Sequence, residues 1–394
     1  MDGDTVERRL RLLLSVQLVN MLGDGLLTVG ATLIIVSGRG APSDLATFLV
    51  SCSLACVTSL AFASISLDSV NRRHALILID VGRIVSAAIL TAYHLRGGGV
   101  YVLFAAGLFV GFSSALYRPA FTAYLGDIAD PSHLIQVNSL RSIASRISSV
   151  AGPALAGLLA TLHLYAAIPV VAGILSALSL VAFLVSPEGF VPSRTGTRAV
   201  LSFAALRYII GHRWILAVML QGGVQIGFVT APLSLIVPLW LGHHASAEQY
   251  GFLTATEAAG ALIAGFIVIR CSERLAPFAM PALLLQGGAP LAIACNSPIT
   301  LLYISYFLTG AGMSMFGILW ISSIQRHVPR ESVGQILAID SFTTSALSTV
   351  GVAFAGVMVQ NFSVEILAGA TAIVVVISVL AALLVSGVST LGFT

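Results

Sequence analysis

Apolar residues run through this chain in long blocks separated by short polar connections. The blocks fall at 12–37, 43–67, 74–95, 99–126, 133–161 and 164–186, and resume at 213–241, 247–270, 276–296, 299–326, 333–360 and 364–388. A helix needs about 20 apolar residues to cross the hydrocarbon of a bilayer, and every block reaches that length. The pattern predicts an all-α membrane protein of twelve transmembrane helices: a six-helix bundle at 1–186, a linker at 187–212 and a second bundle at 213–394. The first block lacks a short apolar core followed by a small-residue cleavage site, so it reads as a retained helix.

Composition agrees. Of 394 residues 57% are hydrophobic and 9% charged, against roughly 25% charged in soluble domains. Soluble enzymes, nucleic-acid-binding modules and disordered scaffolds are excluded together. All 19 basic residues are Arg, a coding bias that points to a bacterial source. They are unevenly placed. One side carries Arg8, Arg9, Arg11, Arg72, Arg73, Arg194, Arg198, Arg207, Arg213, Arg270, Arg274, Arg326 and Arg330, the other only Arg39 and Arg96. By the positive-inside rule, both termini and the central connection are expected in the cytoplasm, the protein lying in a bacterial plasma membrane.

Catalytic chemistry has no visible seat. There is no phosphate-binding P-loop, His-Glu-x-x-His or Gly-x-Ser-x-Gly, which argues against an ATP-driven pump, a membrane hydrolase or any enzyme. Cys52 and Cys56 share a helix face but lack partner ligands, so they read as packing thiols. No metal and no organic cofactor are expected.

The two groups of blocks repeat. Residues 130–160 read DPSHLIQVNSLRSIASRISSVAGPALAGLLA and residues 329–359 read PRESVGQILAIDSFTTSALSTVGVAFAGVMV. At a constant offset Gln136 matches Gln335, Gly152 matches Gly351, Gly157 matches Gly356 and Gly111 matches Gly310. Six helices separate the copies, an even number, so both have the same orientation and a pseudo-twofold along the membrane normal relates them.

Twelve helices in a parallel 6+6 repeat with a basic central loop resemble the major facilitator superfamily. The segment after the second helix, SISLDSVNRRHALILIDVGR, matches the family's motif at Asp68, Arg72 and Arg73, while Ser64 and Ser69 replace its usual Gly and Arg. Asp80 and Arg83 follow at i,i+3 spacing, near enough to join one ion-pair network. The resemblance implies a cytoplasmic latch between the halves, here with two positions eroded. More specifically, Arg118-Pro119, Asp127, Asn138, Leu140 and Gly23-Asp24 resemble an exporter branch that includes bacterial siderophore exporters and macrolide-type drug efflux pumps. Gly152-Pro153 and Gly157 on helix five form part of that branch's antiporter motif.

Ionisable groups inside a membrane are costly and mark candidate sites. Asp24 lies ~18 Å into helix one, and Gln17, Asn20, Asp24 and Thr28 share a stripe, either lining a cavity or forming a seam with Asp24 paired to an Arg. Glu257 has no basic neighbour on its own turn, and Asp340 is the repeat mate of Arg141. Asp24, Glu257 and Asp340 are the candidate proton-coupling groups. Candidates to line a substrate cavity are Gln17, Asn20, Asp24, Arg118, Tyr117, Phe121, Arg141, Gln221 and Gln225. Arg118 with Tyr117 and Phe121 offers a cationic and aromatic surface or pairs with a nearby Asp; Arg141 and Asp340 pair with each other or locally.

The expected activity is export of amphipathic small molecules, drugs or a metabolite such as a siderophore, by alternating access and driven by a proton gradient. The alternatives are a lipid or lysolipid flippase of the same fold and a non-transporting receptor on a transporter scaffold. The partners implied are a small-molecule substrate and the bilayer, with no nucleic acid and a monomeric chain.

Overall fold

A computed structural model describes residues 3–38, 41–66, 71–128, 134–186 and 203–388. Among them are fourteen α-helices: α1 Gly3–Ser37, α2 Pro42–Ser66, α3 Arg72–Arg96, α4 Val100–Ile128, α5 Leu134–Thr161, α6 Ala167–Val185, α7 Phe203–Gly211, α8 Arg213–Gln225, α9 Ala231–His244, α10 Gln249–Leu275, α11 Gly288–Ala294, α12 Ile299–His327, α13 Arg330–Met358 and α14 Val364–Leu383. Ten runs among the described residues are long and apolar enough to cross a membrane.

Each predicted block is occupied by helix, and two blocks are broken internally. The seventh is α8 and α9 joined through a π-turn at Ile226–Thr230. The ninth, Ala276–Ala294, opens with 3-10 turns at Ala276–Phe278 and Pro281–Gly287 before α11. Pro281 and Pro290 withhold two backbone donors, and Gly287 and Gly288 sit side by side between them, so regular α pairing fails there. Inside the stretch predicted as linker, α7 forms a short helix against α8 and α13.

Contacts divide the chain into two compact units. The first holds 1–40, 47–198 and 250–255, and the second 41–46, 199–249 and 256–394. Each has its own apolar core. In the first, Tyr117, Phe121 and Tyr124 of α4 pack with Phe183 of α6 and with Leu76 and Ile79 of α3. In the second, Ile215 and Met219 of α8 meet Trp320 and Ile324 of α12 and Val379 of α14.

Lipid tails are as apolar as leucine, so helices in a bilayer associate through close packing rather than through hydrophobic burial. The repeat-matched glycines sit where this closeness is greatest. A side chain at Gly111 of α4 would overlap the backbone carbonyl of Cys52 in α2, and one at Gly310 of α12 would overlap that of Glu257 in α10. Gly152 of α5 stands against Gly25 of α1, a Cβ there lying 3.1 Å from the Gly25 Cα. Its mate Gly351 of α13 stands against Gly227 in the π-turn. The duplication therefore extends to equivalent helix crossings within each unit.

Candidate functional site

The polar stripe of α1 meets α3, α4 and α6 inside the first unit. Asn20 is fully buried, and its amide donates to Asp80 Oδ1 at 2.5 Å and to Ser179 Oγ at 3.0 Å. Ser179 in turn donates to Asp80 Oδ2 at 2.6 Å. The amide oxygen of Asn20 accepts from Arg83 Nη1. One amide thus links carboxylate to guanidinium, offering its donor to the acid and its acceptor to the base.

Arg83 carries the network outward. Its Nη2 forms an ion pair with Asp24 Oδ1 at 2.9 Å, and Ser114 of α4 donates to the same oxygen at 2.6 Å. The guanidinium lies over the Tyr117 ring, 5.0 Å from its centroid, a cation–π contact strengthened by exclusion of water. Tyr117 stacks on Phe121 at 5.4 Å. The Arg83 side chain is 1% exposed and that of Asp24 31%. The cation is therefore sealed in, and the carboxylate is the charged face of the pair that a ligand can reach. Asp24 meets this guanidinium directly, and Asp80 is linked to it through the Asn20 amide. Arg83 Nε and the Tyr117 hydroxyl are buried without a hydrogen-bond partner among the described residues.

This arrangement redistributes the residues singled out from sequence. Asp80 and Arg83, grouped there with Asp68, Arg72 and Arg73, are instead engaged with α1 and α6. Arg73 donates through Nε to the Phe183 carbonyl at 2.8 Å and through Nη2 to that of Leu184, holding the carbonyl end of α6. Asp68 and the side chains of Arg118 and Arg141 lie outside the described residues. The cation over the aromatic pair of α4 is Arg83. Gln17 is buried, its amide 3.5 Å from the Met21 sulfur, and Thr28 bonds back to the Asp24 carbonyl. Ser114 and Ser179 complete the network, yet nothing in sequence separates them from other serines in apolar helices. Half-buried Arg146 on α5 is a further basic residue inside a stretch predicted as a span.

Gly152 and Pro153, singled out on helix five from sequence, stand beside this network. A Cβ at Gly25, the neighbour of Asp24, would lie 3.2 Å from both the Gly152 Cα and the Pro153 Cδ. Gly157 follows one turn later on α5.

The second unit holds separate polar groups. Gln221 donates to Gln225 within α8, and Gln225 donates to the Leu283 carbonyl at 3.2 Å, serving a backbone acceptor in the 3-10 run. Asp340 of α13 accepts from Trp320 Nε1 at 3.2 Å. Glu257, half-buried on α10, has no hydrogen bond or ion pair among the described residues, while its backbone carbonyl lies at the Gly310 crossing. No cluster of His, Cys, Asp and Glu suited to a metal occurs among the described residues.

Comparison with known proteins accords with two duplicated helical units. The chain is 25% identical over 379 residues to an uncharacterized MFS-type transporter, YfiS, of Bacillus subtilis (strain 168), covering 91% of this chain and 89% of that protein. Its fold is similar to the nucleoside transporter NupG, with a TM-score of 0.71 at 14% identity over 95% of this chain and 98% of that one. A POT family transporter in complex with 5-aminolevulinic acid superposes with a TM-score of 0.74 at 13% identity, over 97% of each chain. The Major Facilitator Superfamily model matches residues 13–235 and 224–390. The chain belongs to that superfamily and is an integral membrane transporter of its type.

Proposed function

We propose that this transporter is a proton-coupled exporter of amphipathic small molecules, moving them by alternating access. The observation that carries the reading is the Asp24–Arg83 pair: a carboxylate near the middle of α1, partly exposed, backed by a sealed guanidinium. Such a carboxylate can hold a proton or a positively charged or hydrogen-bond-donating substrate, and losing one changes its attraction for the other. The direction rests on the antiporter-motif residues Gly152 and Pro153, which pack against Gly25 next to Asp24. Glu257 is a second proton-coupling candidate, because it is an acid within an apolar span, where ionisable groups are costly and tend to be functional.

Inside-out vesicles energised with an acid-inside proton gradient test the reading. Uptake of an amphipathic dye such as ethidium is expected, with release of protons from the lumen. Asp24→Asn is expected to abolish gradient-driven uptake while the protein still reaches the membrane. Gradient-driven transport that survives in both Asp24→Asn and Glu257→Gln would overturn the coupling assignment, and accumulation only in right-side-out vesicles would overturn export.

A further inference from the structure

Helix α7 lies in the chain segment between the two groups of six spans, and transport by the Asp24 network gives it no role. Its register has two faces. Ile209 is 2% exposed and packs into the core of the second unit. The Tyr208 hydroxyl donates to the His327 carbonyl at 2.9 Å, and the Tyr208 ring stacks on His212 at 4.0 Å. These contacts hold the helix in a fixed orientation. Next to that buried face Leu206 and Ile210, one turn apart, are 42% and 60% exposed, and Arg207, on the side of the helix away from Ile209, is exposed as well.

Its position follows from the chain. A single residue, His212, separates α7 from α8, whose first residue Arg213 begins a membrane span. The extended backbone of His212, φ −113° and ψ 92°, turns the chain between the two helices. Helix α7 is therefore held at a membrane boundary by covalent geometry. Exposed apolar residues on a short helix at that depth, with Arg207 on the helix and Arg213 just after it, form the pattern of a helix lying in the interface with its cations at headgroup level.

We propose that α7 is an interfacial helix that inserts Leu206 and Ile210 among lipid acyl chains and binds the phosphate of an anionic phospholipid through Arg207 and Arg213. A membrane lipid is the occupant because the surface is continuous with the spanning segment of α8 and because the charges on and next to α7, Arg207 and Arg213, are both positive. Each Arg near an anionic surface contributes about five-fold in binding.

The test uses the full chain in vesicles of phosphatidylcholine and phosphatidylglycerol. With the four cysteines replaced by serine, a nitroxide is attached at Leu206→Cys or Ile210→Cys. Collisions with oxygen are expected to exceed those with a water-soluble nickel chelate. Dominant nickel collisions would show a face in water, and exclusion of both reagents would show a face covered by protein; either overturns the proposal. In parallel, retention of phosphatidylglycerol is measured by native mass spectrometry. Arg207→Gln and Arg213→Gln are each expected to lower it about five-fold, with phosphatidylcholine unchanged and Arg96→Gln, at the opposite membrane side, without effect. Unchanged retention in both variants, or an equal loss in Arg96→Gln, overturns the headgroup assignment.

Discussion

The guanidinium of Arg83 pairs with Asp24 directly and reaches Asp80 through the Asn20 amide, so its loss unbalances the whole network. Removing one member of a buried ion pair typically costs about 3–5 kcal/mol, because the remaining charge stays buried. Arg83→Gln is expected to lose that much stability in thermal unfolding of the purified protein. Adding Asp24→Asn is expected to restore part of it, since one uncompensated carboxylate is then gone. A fully additive double variant would show that the two residues do not interact. Tyr117 gives the contrary case. Its hydroxyl is buried without a partner among the described residues, while its ring supports the cation. Tyr117→Phe is therefore expected to be neutral or to gain up to about 1 kcal/mol in the same measurement. In the sequence Asp24 is visible as an intramembrane acid, and pairing with an Arg is one of its two expected fates. Its actual partner is hidden there: Arg83 lies 59 positions away, and its own neighbours Arg72 and Arg73 draw it toward the latch motif.

At the level of elements, the glycines at helix crossings divide cleanly by what a methyl group would meet. At Gly310 and Gly351 it would overlap backbone oxygens, of Glu257 and Gly227 respectively. Backbone cannot rotate out of the way as a side chain can. Gly310→Ala and Gly351→Ala are each expected to cost about 1–3 kcal/mol, as overpacked cores do. Gly222→Ala, with nothing within 4 Å of the added carbon, is expected to be neutral or slightly stabilising. Melting temperatures of the three variants decide this. Positions of spans are legible because hydropathy is local: it is summed over neighbours and needs no knowledge of packing. The breaks inside them are harder to read. The π-turn at Ile226–Thr230 carries no proline, and α7 lies in a stretch whose upstream Pro, Gly and Arg mark a linker, although residues 203–211 alone are apolar enough for a helix.

For the whole molecule, the scarcity of charge is matched by a concentration of what remains. Asp24, Asp80 and Arg83 form one network, Arg73 holds the end of a helix, and Arg207 and Arg213 lie on α7 and at the start of α8. The repeat, visible in the sequence as matched letters, reappears as matched crossings in two separate units. It rests on missing side chains at Gly111, Gly152, Gly310 and Gly351 more than on any particular interlocking set of large residues. A frame of this kind tolerates drift. The walls facing lipid can exchange one apolar residue for another, and the inner faces can be rewritten for new cargo, without disturbing how the helices meet. That accounts for a fold shared with NupG at 14% identity. A saturation library scored by abundance in the membrane is expected to accept apolar exchanges at exposed Leu78, Ile174 and Ile377 and to reject nearly every substitution at those four glycines.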